Sequence, residues 1–221
     1  MTTTLASTYG TSTNDDSHMM KNMEWGAVAY LSSSIYGRYT NASTCIDSGC
    51  EVWKNSNENY TTGCAGSSVS ASGDSASTCN AWNTATGVNA STTGNIYGIY
   101  DMSGGAEEYV MGNYNDTIYD AGFSSMPEAK YYDKYTGTDS NSDFTKYHLG
   151  DATKETLKSK SRIFVSFWYN ARSSLSNFAS LAWVVRSGYR YYGTSAGVFG
   201  FNFHDGDSGL NFSFRVAFGA L

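Results

Sequence analysis

The chain has 221 residues, 15% of them charged and 15% aromatic, with 18 Tyr, 23 Gly and a formal net charge of −6. No Lys/Arg cluster occurs, which excludes the electrostatic footprint of a nucleic-acid binder, and no apolar run approaches the ~18–20 residues of a membrane span. The length suits one large domain or two small ones. The bias to Tyr, Thr, Ser, Asn and Gly points to an extracellular protein rich in strands and loops.

Residues 1–15 are Thr/Ser-rich and read as a mobile N-terminal segment. Met1 to Tyr9 is polar, so no signal peptide is read there, and a secretion signal or anchor is expected upstream. From Asp16 onward Met20, Met23, Ala27, Tyr30 and Leu31 recur at three- and four-residue spacing. That spacing predicts a helix over 16–36, with Asp16 or Ser17 as its cap and Gly37 just past its end.

Residues 40–93 read as a long polar insert that carries every cysteine: Cys45, Cys50, Cys64 and Cys79. The spacing is not that of a paired CxxC zinc site. Two disulfides fit it, with three pairings open. Cys45–Cys50 with Cys64–Cys79 is favoured because it closes short local loops. Disulfides imply an oxidising compartment, hence an extracellular or cell-surface location.

Order returns at Gly94 to Asn113, which reads as a turn, a short apolar segment, a Gly-rich turn and a strand. Residues 113–147 read as a Tyr/Asp/Asn-rich loop region. A second short helix is predicted from Asp151 to Lys160. Ile163–Tyr169, Leu181–Arg186 and Phe212–Phe218 read as strands. Residues 16–221 thus form one α+β domain, with 40–93 as its insert and 183–221 as its C-terminal region.

No catalytic constellation emerges. Glu107 and Glu108 are adjacent, so on a strand they point to opposite faces and cannot pair as acid and base. His148 and His204 have no Ser or Cys partner at a readable spacing. The only proline, Pro127, stands in Ser-Met-Pro-Glu, so the Glu-Pro-Asn type of calcium-dependent sugar site is missing. Asn113, Asn115 and Asp116 read as a solvated turn in preference to a Ca²⁺ site. No metal and no cofactor are expected.

Between Trp183-Val184-Val185-Arg186-Ser187-Gly188 and Ser213-Phe214-Arg215-Val216-Ala217 lies a stretch rich in Tyr, Gly, Ser, Asn and Asp. Tyr supplies large contact area at low entropy cost, and Ser, Gly and Asn supply adaptable polar contacts, so the composition is that of a binding surface.

Asn95-Ile96-Tyr97-Gly98-Ile99-Tyr100-Asp101-Met102-Ser103-Gly104-Gly105-Ala106-Glu107-Glu108-Tyr109 resembles the N-x-x-G-L-x-D-M-x-G-N-V-W-E-W signature of formylglycine-generating enzymes. Val185-Arg186-Ser187-Gly188 resembles their R-G-G segment, and Ser213-Phe214-Arg215 their closing G-F-R. The resemblance implies a C-type lectin fold of that subtype, with small twisted antiparallel sheets, two helices and much irregular loop. The family Trp is replaced by Glu107 and its Asn by Gly105. No cysteine follows Cys79, which leaves that family's copper-dependent oxidation without thiolate ligands.

The C-terminal pattern more closely resembles the variable proteins of diversity-generating retroelements. That resemblance implies an adhesin-like, non-catalytic receptor whose face is rewritten at template adenines. The variable positions would be Tyr189, Tyr191, Tyr192, Gly200, Phe203, His204, Asp205, Asp207, Leu210 and Phe212. Gly193, Ala196, Gly197, Val198, Phe199, Phe201 and Gly206 would be scaffold, and Trp183, Arg186, Arg215 and Glu108 structural. Randomising the first two bases of an Asn codon cannot yield Lys, Glu, Gln, Met or Trp. None of these occurs from Ser187 to Phe212, although strands and turns also disfavour Lys and Glu. The implied partner is a protein or glycan ligand. Assembly into a pilus or virion through a preceding N-terminal segment is also implied. An oxidase relative and a fixed pilus-like subunit are the alternatives.

Overall fold

A computed structural model of the chain describes residues 16–39, 50–71, 77–136, 150–153, 166–168, 171–173 and 181–219. The N-terminal segment 1–15, Cys45, His148 and the predicted helix beyond Thr153 lie outside them. The fold is α+β, with one α-helix among the described residues. That helix, α1 (Asn22–Ser32), is preceded by β1 (Asp16–Met19). Two short strands follow, β2 (Cys64–Ala65) and β3 (Asn80–Ala81), then the long β4 (Glu107–Tyr114) and β5 (Asp133–Tyr135). The remaining strands are β6 (Ser166–Trp168), β7 (Ala171–Ser173), β8 (Trp183–Arg186), β9 (Phe201–His204), β10 (Phe212–Phe214) and β11 (Val216–Gly219).

The helix begins later than the apolar spacing predicts. Residues 16–19 pair antiparallel with β11, Asp16 opposite Gly219 and Met19 opposite Val216. The sheet claims these residues before the helix can. The Glu24 carboxylate then accepts the Lys21 N–H at 2.8 Å and closes the first turn. The buried face is Asn22, Trp25, Gly26, Ala29 and Ser32, while Leu31 is more than half exposed. The helix lies rotated from the predicted stripe because Trp25 goes to the centre of the core, where its Nε1 donates to the Val198 carbonyl at 2.8 Å. Gly26 permits the approach. A Cβ there would sit 2.5 Å from the Gly150 carbonyl oxygen.

The main sheet runs β10-β4-β8-β9-β7-β6, with β5 also on β4. It is mixed, not antiparallel throughout. β10 and β5 both lie parallel to β4, β10 along Glu107–Tyr109 and β5 along Gly112–Tyr114. β8 pairs with β4 on the other side, antiparallel, with Glu108 opposite Arg186. A central strand covered on both faces carries no polar face, so nearly all of β4 and all of β8 are buried. In β9 the alternation survives: Phe201 and Phe203 point into the core, Asn202 and His204 away from it. The predicted strand 212–218 is two strands broken at Arg215, the first in the main sheet and the second on β1.

The segment from Asp151, expected to form a second helix, is described only as far as Thr153, and residues 151–153 are bends. Asp151 is fully buried and accepts a hydrogen bond from the Tyr135 hydroxyl at 2.9 Å, which in turn accepts one from Asn22 Nδ2 at 2.7 Å. The other Asp151 oxygen holds the Thr153 N–H at 2.8 Å. Desolvating Asp151 requires these partners, and they make residues 151–153 part of the core. Residues 50–71 are likewise no mere appendage. Val52, Lys54, Asn55, Ser56 and Asn57 are buried, and Asn55 bridges to Gly104 in parallel. Cys64 and Cys79 form a disulfide across β2 and β3, and Cys50 is also disulfide-bonded. No described helix is long and apolar enough to cross a membrane.

The Lys54 ammonium has no hydrogen-bond partner among the described residues. Burial, partly offset by Glu51, pushes its pKa down to about 8. Because the folded value lies below the unfolded one, the burial cost is fully present below pH 8. It disappears as pH climbs from about 8 towards 10.5. Lys54→Met is therefore expected to stabilise the protein at pH 7 by about 1–3 kcal/mol. The gain over wild type should shrink on going to pH 10 in denaturant melts. A pH-independent difference would contradict the buried-charge account.

Candidate functional site

The corner after β8 is built from two residues in the left-handed region, Ser187 (φ 76°) and Gly188 (φ 70°). Ser187 Oγ donates to the Gly104 carbonyl at 2.8 Å, and the Arg190 N–H donates to the Gly105 carbonyl at 2.9 Å. The Gly-rich turn at 103–105 thus fixes where the next residues emerge. Gly104 and Gly105 both have positive φ, and a Cβ on Gly104 would lie 2.5 Å from the Asn55 carbonyl oxygen.

From that corner Tyr189, Tyr191 and Tyr192 reach the surface. The Tyr189 ring stacks on Tyr60 with centroids 6.2 Å apart, and the Tyr60 hydroxyl donates to that of Tyr189 at 2.9 Å. Tyr191 packs edge-on against Tyr189 at 4.8 Å. The Arg190 guanidinium lies 3.9 Å from the Tyr191 ring centre and 5.0 Å from that of Tyr60. Burial and the Tyr60 contact push the Tyr189 hydroxyl up to about 12, so it stays a neutral donor and acceptor at ordinary pH.

The chain then dives. Ala196, Val198, Phe199 and Phe201 are buried. So are two residues expected on the binding face, Gly200 and Phe203. The pleat explains Phe203: it lies two residues from Phe201, on the same inward face of β9.

His204, Asp205 and Asp207 resurface as a second patch. His204 Nδ1 is 2.7 Å from Asp205 Oδ1 and 3.2 Å from Asp207 Oδ1. The Tyr109 hydroxyl donates to the Asp207 carbonyl at 3.0 Å and lies 3.0 Å from His204 Nδ1. Burial alone would raise the Asp205 carboxyl, but the Asp207 N–H and His204 hold it below its ordinary value. Phe212 packs on His204 at 4.5 Å and on Tyr109 at 5.0 Å. Leu210 is fully exposed. These three polar side chains are the one group among the described residues with three metal-ligating atoms within 4.8 Å of one another. The Asn113–Asp116 turn is internally bonded, Asp116 to Tyr132 and Lys134, Asn113 to Thr117.

Between the two patches opens a cleft of about 480 Å³, lined by Tyr60 from the first and by Leu210 and Phe212 from the second. Its floor holds Asp101, Glu108 and Arg215. Arg215 forms a two-pronged pair with Glu108, through Nε (2.5 Å) and Nη2, and donates to the Tyr100 carbonyl. Its guanidinium also stands 5.1 Å from the Trp25 ring centre. Burial pushes the Glu108 carboxyl up, and Arg215 only partly offsets it. Arg186, wholly buried, donates instead to the carbonyls of Asp151 at 2.7 Å and Ala152 at 3.4 Å. The buried Trp183 donates from Nε1 to the Ile118 carbonyl at 2.9 Å.

Tyr60, Tyr100, Asp101 and Phe214 are site residues that sequence reasoning did not select. Tyr60 sits in the stretch read as an insert, and no local pattern joins it to Tyr189. No protein-family model matches the chain, and no curated protein matches it.

A buried ion pair couples its partners strongly, since losing either one strands a charge. The double-mutant cycle of Glu108→Gln and Arg215→Met is expected to give a coupling energy of about 1–3 kcal/mol in chemical denaturation. A coupling near zero would mean that the pair does not hold the cleft floor.

Proposed function

We propose that this chain is a non-catalytic ligand-binding protein with a C-type lectin fold of the formylglycine-generating-enzyme subtype. Its C-terminal face is rewritten by a diversity-generating retroelement, and it works at a cell or virion surface. The observation that carries the reading is a division of labour along residues 187–212. Tyr189, Tyr191, Tyr192, His204, Asp205, Asp207, Leu210 and Phe212 reach the surface; of the residues between them that the resemblance assigns to scaffold, Ala196, Gly197, Val198, Phe199 and Phe201 are buried, and only Gly193 and Gly206 are partly exposed. A chain segmented this way can exchange contact residues without disturbing its core. Contacts anchored on ordered strands and turns also lose less entropy on binding. The aromatic patch around Tyr189 and the polar patch around His204 supply the two contact chemistries typical of a paratope. The Cys64–Cys79 disulfide supports an oxidising location.

Gly200 and Phe203 belong to the buried set, which narrows the diversified face to eight positions. Sequencing the locus and its flanking DNA across isolates tests this. Differences are expected to concentrate at those eight codons, opposite adenines of a nearby template repeat. Gly200 and Phe203 are expected to vary far less. If the eight are as constant as Trp183 and Arg215, the retroelement reading fails.

A further inference from the structure

The cleft between the two patches has a charge that the ion pair on its floor does not cancel. Glu108 and Arg215 neutralise one another. Asp101 is left with neutral donors, Asn55 Nδ2 at 2.7 Å and the Gly63 N–H at 2.9 Å. Its backbone is held in the left-handed region at φ 60°, and the residue lines the cleft. Around it stand the aromatic rings of Tyr60, Tyr100, Phe212 and Phe214. An acidic residue and aromatic residues lining one cleft attract an organic cation, by Coulomb attraction and by the ring quadrupoles.

We infer that this cleft is a binding site for the basic side chain, lysine or arginine, of a protein ligand. Its size falls in the range of ligand pockets. An anionic ligand is disfavoured, because Arg215 is committed to Glu108 and the Tyr100 carbonyl and two carboxylates flank it. Rim residues Ile99 and Phe214 are more than a third exposed, ready to cover the aliphatic stem of such a side chain. The chain's net charge of −6 draws basic partners from a distance. Burial pushes the Asp101 carboxyl above its ordinary value despite Asn55, Gly63 and Arg215, and an incoming cation relieves that cost. Asp101, Tyr60, Tyr100 and Phe214 lie outside the eight surface positions, whereas Leu210 and Phe212 on the cleft wall are two of them.

The test is titration of the intact protein with acetylated, amidated Gly-Lys-Gly and Gly-Arg-Gly, with the norleucine peptide and methyl glycosides as controls, followed by NMR. The basic peptides are expected to shift the Gly63, Asp101 and Ala106 amides with a Kd in the low millimolar range, and the norleucine peptide at least about ten-fold more weakly. Asp101→Asn should weaken basic-peptide binding by about ten-fold. Phe214→Ala, at an exposed rim position, should weaken it by about three-fold with no change in Tm; it keeps the test open if Asp101→Asn perturbs folding. Equal shifts from lysine and norleucine peptides, no shifts at all, or shifts from a methyl glycoside instead would overturn the assignment.

Discussion

The structure turns on one buried carboxylate. Glu108 sits in the middle of the sheet, with Arg186 opposite it on β8 and Arg215 closing on it from beyond β10. A carboxylate there is costly unless a cation meets it with good geometry. Arg215 supplies that geometry and, through the Tyr100 carbonyl and the Trp25 ring, ties the junction of β10 and β11 to the segment before the Gly-rich turn and to the helix. Arg186 takes the other solution available to a buried guanidinium and donates to the backbone carbonyls of Asp151 and Ala152. The two arginines thus mark the ends of residues 187–214.

That arrangement explains how a surface with much loop can be ordered. The loop after β8 is pinned by Ser187 and Arg190 to the turn at 103–105, and that turn is pinned in its turn by Asn55. Asn55 belongs to the cysteine-bearing stretch, so residues 50–71 act as a buttress under the tyrosine patch. Tyr60 makes the link direct by stacking on Tyr189. The second patch leans on β4 through Tyr109, whose hydroxyl burial and the neighbouring Asp207 and Asp205 keep protonated.

Much of this was legible in the sequence where local chemistry decides. Leu181–Arg186 and Phe212–Phe218 stand out as strands, though the break at Arg215 does not, and Cys64–Cys79 is the pairing a short loop favours. The start of the helix was not legible, because β1 is formed only by a partner near the other end of the chain. The same holds for the burial of Asp151, which depends on Tyr135 and Asn22 from distant parts of the chain. In the candidate site, Phe203 was misassigned because a Tyr/Phe/Gly run carries no mark of which face is inward. Only the pairing of β9 with β8 decides that. Tyr60 and Asp101 carry no local mark because they meet the surface around Tyr189 and Phe212 through tertiary contacts alone.

The central claim is that the surface side chains of residues 189–212 are exchangeable on a fixed scaffold. A displayed library in which Tyr189, Tyr191, Tyr192, His204, Asp205, Asp207, Leu210 and Phe212 are randomised together measures this directly. The account predicts that most members resist proteolysis as well as the parent does. A parallel library at Val198, Phe199, Phe201 and Phe203 should be almost entirely degraded. Equal survival of the two libraries, or collapse of the first, would contradict it.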